Sequence, residues 1–289
     1  MSKRNFVTAR TKILCVIGHP IEHSMSPIMH NAAIQDLGLD YLYIAFDVAP
    51  NKLKEAIKGL KTLNIKGINV TLPHKENAIK FIDKVDELAQ KIGAINTIKN
   101  EGGFLIGRNT DVEGANKALI DAGCETAGKN IVVIGAGGAT KAVLYSLASD
   151  TNKITIINRS EDRAKILVSE MNSKIDINIE SKRYSEIILK EEISNADILI
   201  NATPVGMFPT IDISPVSKKI LHSDLFVFDL IYNPLETQLI KDSKEIGCQT
   251  LSGLDMLVNQ GALAFEWWTN RKPNLELMKL KIIKYLGMK

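Results

Sequence analysis

Residues 129–140 read Lys129-Asn-Ile-Val-Val-Ile-Gly135-Ala-Gly137-Gly138-Ala-Thr140, and this stretch decides the fold. A β-branched run at 130–135 leads directly into a glycine turn, and a helical pattern begins at about residue 138. A strand before and a helix after strengthen a glycine pattern that is weak evidence by itself. Gly135 permits the tight turn, and Gly137 leaves room for a pyrophosphate at the helix N-terminus. The stretch predicts a dinucleotide-binding unit, and the alternative is a strand–helix turn without a ligand.

The end of the next strand bears on which dinucleotide binds. NAD sites commonly have Asp or Glu there, about 20 residues on, to bind the ribose 2′-hydroxyl. This chain has Asn158-Arg159-Ser160 instead, and Arg163 follows. Guanidinium groups suit a 2′-phosphate because they bind it through paired hydrogen bonds, whereas a carboxylate would repel it. These residues favour NADP over NAD, and the alternative is a solvated basic turn.

Strand and helix patterns also alternate before the glycine turn. Three β-branched runs and two helical patterns occur there, at 12–18, 41–48 and 66–72 and at 26–38 and 50–64. Ser26 and Pro27 resemble an N-cap followed by proline at the first helical position, and Gly38 lies where a helix is expected to end. This alternation predicts a parallel sheet with helices on both faces.

A hairpin and a second α/β region follow. Two strand-like runs flank Asn100-Glu101-Gly102-Gly103, a hairpin signal, and a helical pattern follows at 112–123. Further strand patterns occur at 130–135, 153–159, 197–203 and 225–232, and the chain is helical after Ser252. We predict two α/β domains that divide near Asp111. Spacing alone leaves open which domain the helices from about residue 253 pack on.

Length and composition exclude several classes of protein. The chain has 289 residues, which fits two domains of about 150 residues each, and 45% hydrophobic and 24% charged residues, which excludes a disordered chain. A net charge of +3 without a basic stripe indicates no nucleic-acid partner. Cys15, Cys124 and Cys248 are far apart, which predicts free thiols in a reducing compartment. No window has the ~20 apolar residues that cross a bilayer, so we expect a cytoplasmic protein.

Polar residues follow several strands of the first domain, at the edge where doubly wound sheets bind ligands. Ser24 and Ser26 precede or begin a helix, where hydroxyl donors and the helix dipole would hold a carboxylate, although Ser26 would also serve as a simple cap. Lys75 follows a strand and a proline turn, and its alternative role is a solvated surface lysine. The hairpin ends in Asn109-Thr110-Asp111, which brings a carboxylate to the predicted division between the domains.

The histidines His19, His23 and His30 raise the question of a metal site. Pro20 and Pro27 prevent one helix from presenting all three, and no carboxylate is suitably spaced. The sequence therefore predicts no metal site and favours structural or helix-start roles for these residues.

In combination, these residues resemble the shikimate dehydrogenase family. Nine motifs occur in order, namely Gly18–Asn31, Asn69–Lys75, Gly93–Thr97, Asn109–Asp111, the glycine turn, Asn158–Ser160, Asn201–Met207, Asp229–Pro234 and Gly253–Gln260. The resemblance covers residues from about 13 to 268, and nine motifs in order are highly specific. One departure is His74, where many relatives have phenylalanine.

The resemblance implies a fold and a reaction. The expected domains are a substrate domain with a mostly parallel sheet, residues 1–110 and 253–289, and a Rossmann-type NADP domain, residues 111–252, with the terminal helices returning to the substrate domain. The expected reaction is the reversible NADPH-dependent reduction of 3-dehydroshikimate to shikimate, on the route to chorismate and aromatic amino acids. The expected partner is this small molecule, without nucleic acid or membrane, for a monomer or homodimer.

Two other functions stay open at this point. A quinate/shikimate dehydrogenase with relaxed use of NAD and NADP is the nearer alternative, and Arg159 and Arg163 disfavour it. A non-catalytic NADP-binding module is the more distant one, and it would have no need of Lys75, Asp111 and the two serines together.

The resemblance also implies a role for each matching residue. Lys75 and Asp111 would form the catalytic pair, and Ser24 and Ser26 would hold the substrate carboxylate. The ring hydroxyls would meet Thr71, Asn96, Asp111, Tyr232 and Gln260. The cofactor would meet Gly135, Ala136, Gly137, Gly138, Ala139, Asn158, Arg159, Ser160, Arg163, Thr203, Met207, Ile231, Gly253 and Glu87.

Overall fold

The computed structural model describes residues 6–147 and 151–288, which form two compact α/β units. The first unit comprises the described residues up to Thr110 and those from Val258 onward, and the second is Asp111–Leu257. The sequence assigns residues 253–257 to the first domain, whereas the structure groups them with the second unit. The reason is local packing, since Met256 lies against the apolar core of the second unit.

The first unit is built on a six-stranded mixed sheet with the order β2-β1-β3-β5-β6-β4. Its strands are β1 (Lys12–Gly18), β2 (Tyr41–Asp47), β3 (Gly67–Val70), β4 (Lys84–Val85), β5 (Thr97–Glu101) and β6 (Phe104–Arg108). β1 pairs in parallel with β2 and β3, and β4 pairs in parallel with β6. The predicted hairpin is β5–β6, which also joins β3 in antiparallel pairing. The sequence missed β4, because two residues show no periodicity.

The helices of the first unit are α1 (Ser26–Asp36), α2 (Leu53–Thr62), α3 (Glu87–Ile92) and, at the end of the chain, α9 (Gly253–Thr269), whose first five residues group with the second unit, and α10 (Leu275–Leu286). The predicted N-cap was wrong: Met25 is the N-cap of α1, and Ser26 is its first helical residue. α10 packs on α1, and Trp268 of α9 donates a hydrogen bond to the Ile98 carbonyl at 3.0 Å. The terminal helices therefore return to the first unit, as predicted.

The second unit is a doubly wound parallel sheet with the order β12-β11-β10-β7-β8-β9. Its strands are β7 (Asn130–Ile134), β8 (Lys153–Asn158), β9 (Ile179–Arg183), β10 (Ile198–Asn201), β11 (Phe226–Asp229) and β12 (Gln249–Ser252). Its helices are α4 (Asp111–Asp121), α5 (Gly138–Ser146), α6 (Glu161–Asn172), α7 (Glu186–Ser194) and α8 (Gln238–Ile246). This is the Rossmann strand order, and the order reverses between β7 and β10, where such sheets bind dinucleotides.

The sequence missed the two edge strands of this sheet, β9 and β12. The central strands β7, β10 and β11 are apolar runs that are buried over most of their length. The edge strands contain polar residues, as in Ile-Glu-Ser-Lys-Arg for β9, because each has a neighbouring strand on one side only.

Two further expectations concern cysteines and membranes. Cys15, Cys124 and Cys248 are all free thiols, and Cys15 and Cys248 are buried. Burial raises the pKa of Cys124 to about 11. In the described part of the chain, no helix combines the length and the apolar character needed to span a membrane.

Candidate functional site

The polar peptides of the first unit emerge at one edge of its sheet. Thr97 begins β5 and pairs with Asn69 of β3 and with Arg108 of β6. The ends of β1 and β3 are level there, since Ile17 pairs with Val70. Because β5 runs antiparallel to β3 and β6, its start lies beside their ends. The segments that follow β1, β3 and β6 thus share one edge with the segment that precedes β5.

A buried amide network lies at this edge. The Asn96 side-chain nitrogen donates to Gln260 Oε1 at 3.1 Å and to Thr110 Oγ1 at 2.9 Å. The Asn96 side-chain oxygen accepts from the Thr110 backbone N–H at 2.8 Å and from the Thr97 hydroxyl at 2.9 Å. Asn96 and Gln260 were both predicted to contact substrate, and the fold brings them together although 164 residues separate them. Their oriented amides provide donors and acceptors of the kind that bind hydroxyl groups.

The turn that carries Lys75 is held from two sides. The His74 backbone N–H donates to the Thr71 carbonyl at 2.9 Å, and the Lys75 carbonyl accepts from the Ile95 N–H at 2.9 Å. The His74 ring is buried, and its Nε2 donates to the Val48 carbonyl at 2.7 Å. The His74 ring thus adds a hydrogen bond from this turn to the chain after β2. Lys75 and Thr71 are both half-buried on this fixed turn.

The two serines occur where α1 begins. Ser26 is buried, Ser24 is half-buried, and Ser24 Oγ accepts from the Ser26 backbone N–H at 3.3 Å. Ser24 thereby satisfies one of the backbone donors that a helix N-terminus leaves open. Since its oxygen accepts this bond, its hydroxyl hydrogen is the part of the group that suits an anionic ligand.

The glycine turn of the second unit has the geometry of a phosphate site. Gly135 has a φ of 107°, which favours glycine, and an added Cβ would lie 3.0 Å from the Ala202 carbonyl oxygen. An added Cβ at Gly137 would meet nothing within 4 Å, so the space beside the start of α5 is open. Thr140 follows the last glycine of the turn by two residues and is buried. Its hydroxyl donates to the Gly135 carbonyl at 3.0 Å and accepts from the Gly137 N–H at 3.1 Å. Threonine therefore braces the turn from within.

The end of β8 presents two arginines. The Asn158 side chain donates to the Ser160 carbonyl at 2.9 Å, and Ser160 caps α6 by accepting from the Arg163 backbone N–H at 3.4 Å. Arg159 and Arg163 are exposed, and within residues 6–147 and 151–288 neither guanidinium has a hydrogen-bond or ion-pair partner. Two guanidinium groups without a paired carboxylate beside a helix start suit a phosphate.

A buried carboxylate that the sequence analysis did not assign joins the loops after β10 and β11. Asp229 accepts from the Asn201 amide at 3.0 Å, the Ile231 backbone N–H at 3.1 Å and the Thr237 hydroxyl at 2.6 Å. Asn201 in turn accepts from the Thr203 hydroxyl at 2.7 Å. Desolvation nonetheless raises the pKa of Asp229 to about 6. The motifs Asn201–Met207 and Asp229–Pro234 contain these residues, but their local pattern does not indicate that they bond to each other.

Four other predicted site residues differ in how exposed they are and how closely they are packed. Gly253 lies so close to the preceding loop that an added Cβ would be 2.0 Å from the Leu230 carbonyl oxygen, so a side chain does not fit. Met207 is 45% exposed on the loop after β10. Asp111 is buried as the first residue of α4, where the helix dipole favours a carboxylate. Glu87 is exposed at the start of α3 in the first unit, and its cofactor role stays a prediction.

Comparisons with protein families cover most of the chain. Residues 16–98 match the shikimate dehydrogenase substrate binding domain, residues 116–235 match shikimate / quinate 5-dehydrogenase, and residues 253–279 match the shikimate 5′-dehydrogenase C-terminal domain.

Individual relatives are similar over nearly the full length. Shikimate dehydrogenase (NADP(+)) of Methanocaldococcus jannaschii is 49% identical, over 96% of this chain and 98% of that protein. A crystal structure of a shikimate dehydrogenase in complex with NADP+ has a TM-score of 0.90 at 48% identity, covering 97% of this chain and 98% of that one. The shikimate 5-dehydrogenase of Thermus thermophilus in complex with NADP(H) and shikimate has a TM-score of 0.83 at 34% identity, covering 94% and 99% of the two chains.

Proposed function

This chain belongs to the shikimate dehydrogenase family, and we propose that it catalyses the reversible NADPH-dependent reduction of 3-dehydroshikimate to shikimate. The product leads to chorismate and the aromatic amino acids. The observation that carries the proposal is the oriented pair of Asn96 and Gln260 at the sheet edge where Ser26 and Lys75 also emerge. Such amides can bind the hydroxyls of a hydroxylated ring acid, and serine hydroxyls can bind its carboxylate.

The substrate contacts follow from this assignment. Ser24 and Ser26 bind the carboxylate at the start of α1, and Thr71, Asn96 and Gln260 bind ring hydroxyls. Asp111 and Tyr232 are assigned to the substrate because they match the family positions. The support from the structure is strongest for Asn96 and Gln260, because hydrogen bonds to neighbouring groups set the orientation of the Asn96 amide and join it to Gln260.

Lys75 and Asp111 are the proposed catalytic pair. Reduction of a ketone leaves negative charge on its oxygen, and a cation at that point stabilises the transition state more than the ground state. The ammonium of Lys75 supplies this charge and donates a proton from Nζ to the oxygen, and it receives the proton in the reverse direction. Asp111 is assigned as the second member of the pair because it matches the family position. The half-buried, doubly held turn of Lys75 suits such a positioned cation.

The second unit fits NADP as its cofactor. The open space at Gly137 and the N-terminus of α5 suit the pyrophosphate, and Arg159 and Arg163 suit the 2′-phosphate. When bound, NADPH supplies the hydride. The remaining proposed contacts are Ala136, Gly138, Ala139, Asn158, Ser160, Thr203, Met207, Ile231, Gly253 and Glu87. Of these, Ile231 is held directly, because its backbone N–H donates to Asp229. Thr203 is held indirectly, because it donates to Asn201, which is itself bonded to Asp229.

The proposed partner, assembly and compartment of the enzyme follow from the same resemblance. Its partner is a small-molecule substrate, its assembly is a monomer or a homodimer, and its compartment is the cytoplasm. Light scattering of the purified protein would decide between monomer and homodimer.

Absorbance at 340 nm tests the reaction directly. The purified protein receives shikimate with NADP or NAD, and then quinate with each cofactor. We expect rapid reduction of NADP with shikimate alone. Comparable rates with quinate or NAD would replace the proposal by a quinate/shikimate dehydrogenase of relaxed cofactor use. Folded protein that is inactive in all four assays would favour a non-catalytic NADP-binding module.

A further inference from the structure

Hydrogen bonds hold the backbone of Tyr43, in β2, and a stacked ring holds its side chain. The Asn31 side chain, from α1, accepts from the Tyr43 backbone N–H at 2.9 Å and donates to its carbonyl at 2.8 Å. The His30 ring stacks on the Tyr43 ring, with centroids 4.3 Å apart and planes 11° from parallel. Tyr43 is 1% exposed. Neither the backbone nor the ring of this residue has room to change its conformation.

The hydroxyl of Tyr43 is not needed to fill this space, because phenylalanine has nearly the same shape. Burying a hydroxyl is unfavourable unless it forms a hydrogen bond. Tyr43 donates to the side-chain oxygen of Asn69 in β3 at 2.6 Å. Desolvation raises the pKa of Tyr43 well above its ordinary value, and contact with the Ser26 hydroxyl acts in the opposite direction. The phenol is therefore a neutral donor that lies between Ser26 and Asn69.

The bond to Asn69 is the first in a chain of hydrogen bonds that hold the amides beyond it. With its oxygen facing Tyr43, the Asn69 amide donates from nitrogen to the Asn96 carbonyl and to Thr97 Oγ1, each at 3.2 Å. Thr97 then donates to the Asn96 side-chain oxygen at 2.9 Å, which leaves the Asn96 side-chain nitrogen to donate to Gln260. Each donor is matched to an acceptor, and the Thr110 backbone N–H holds Asn96 in the same orientation. The bonds from Asn69 therefore add to that of Thr110 in holding the Asn96 and Gln260 amides.

We propose that the Tyr43 hydroxyl is a positioning group for substrate recognition, which acts through Asn69 and Thr97 to orient the Asn96 and Gln260 amides toward the substrate's ring hydroxyls. This inference rests on the proposed function, because it takes Asn96 and Gln260 as substrate contacts. It adds buried residues that act through Asn96 and Gln260. A residue with a purely structural role in the core would affect folding stability and leave recognition of the ring hydroxyls unchanged.

The Tyr43→Phe variant removes the hydroxyl and keeps the ring. We expect KM for shikimate to rise by about tenfold, with kcat within about threefold of the unsubstituted enzyme and the Kd of NADP within about twofold. The matched control is Ile68→Val, which shortens a buried apolar side chain next to Asn69 in β3 and lowers stability without touching the amides. Its KM for shikimate should stay within about twofold of the unsubstituted value.

A shikimate analogue that lacks one ring hydroxyl separates recognition from stability. Loss of that hydroxyl should weaken binding to the unsubstituted enzyme more than binding to Tyr43→Phe, because the amides that bind the hydroxyl are already less firmly held in the variant. Equal losses in both proteins would overturn the inference. So would an unchanged KM in Tyr43→Phe, or an equal rise in KM in Ile68→Val.

Thr97→Val is the second variant. If Tyr43→Phe does not fold, the KM of Thr97→Val for shikimate tests the proposal instead. It interrupts the network beyond Asn69 and keeps the residue's shape, so it should raise KM as Tyr43→Phe does. The double variant should be no worse than either single one, since both act through one network. Additive effects would contradict the proposed route. An unsubstituted enzyme inactive on shikimate would overturn the proposed function and this inference with it, whereas an active one with an unchanged variant would overturn the inference alone.

Discussion

The side-chain amide of Asn201 donates to the buried carboxylate of Asp229 at 3.0 Å, and this bond joins the ends of β10 and β11. Both loops that follow contain proposed cofactor residues, Thr203 after β10 and Ile231 after β11. Asn201 bonds to Thr203, and Asp229 accepts from the Ile231 N–H. Asp229 thus holds both loops through one charged group.

The burial of Asp229 predicts a pH dependence of stability. Its pKa is about 6 when folded, against an ordinary value of 3.8, so between these values the folded state binds more protons than the unfolded state. The free energy of unfolding of the second unit should therefore fall as pH rises from about 4 to about 6, by up to about 3 kcal/mol. Urea unfolding across this range should show the fall in the unsubstituted protein and not in Asp229→Asn. The same fall in both proteins would exclude Asp229 as its source.

His30 predicts the opposite dependence in the first unit. Complete burial lowers the pKa of His30 from 6.5 to about 3, so the unfolded state binds the additional proton. The free energy of unfolding should decrease as pH falls from about 6.5 toward 3, by up to about 5 kcal/mol. His30→Leu should remove this decrease, whereas His23→Leu, an exposed histidine, should retain it. Urea unfolding of the first unit, followed by its tryptophan fluorescence, would measure both. An unchanged slope in His30→Leu would refute the assignment.

Removal of the Lys75 ammonium should affect chemistry more than binding. We expect Lys75→Ala to lower kcat by about 10²–10⁴-fold while KM for shikimate changes by less than about fivefold, because the lost interaction belongs to the transition state. Initial rates over a range of shikimate concentrations separate the two constants. Lys61→Ala, which removes an exposed ion pair with Asp83 in the same unit, is the control and should keep its kcat. Activity of Lys75→Ala equal to that of the unsubstituted enzyme would remove Lys75 from the mechanism.

Arg159 should distinguish NADP from NAD. Its exposed guanidinium has no partner among the described residues, so we expect Arg159→Ala to raise the Kd of NADP by about tenfold and leave that of NAD within about twofold. Lys165→Ala, in α6, removes a positive charge that already pairs with Glu161 and should change neither constant. Titration calorimetry with each cofactor measures both. Equal weakening of NAD and NADP by Arg159→Ala would contradict the 2′-phosphate assignment.

Prediction from the sequence succeeded where local pattern determines structure. The strand, glycine turn and helix at 129–140 form β7 and α5, and Gly102-Gly103 joins the two strands of the hairpin. Apolar runs and turn residues are properties of neighbouring positions, so they are visible in one sequence. The edge strands β9 and β12 were missed because an edge strand needs less apolar surface.

Part of the proposed site is visible in the sequence for the same reason. Ser24, Ser26, Lys75 and Asn96 belong to short motifs at strand ends, which the sequence displays. Tyr43 and Asn69 were not assigned roles, because the bond between them depends on the positions of β2 and β3 on either side of β1.

The sequence by itself determined the two α/β regions, the glycine turn and the basic residues beside it, because each depends on residues that are close in the chain. The tertiary structure decided which distant polar groups meet: Gln260 with Asn96, Asp229 with Asn201, and His74 with the Val48 carbonyl. A buried donor is stable only when folding brings an acceptor within about 3 Å, and local periodicity carries no information about that partner.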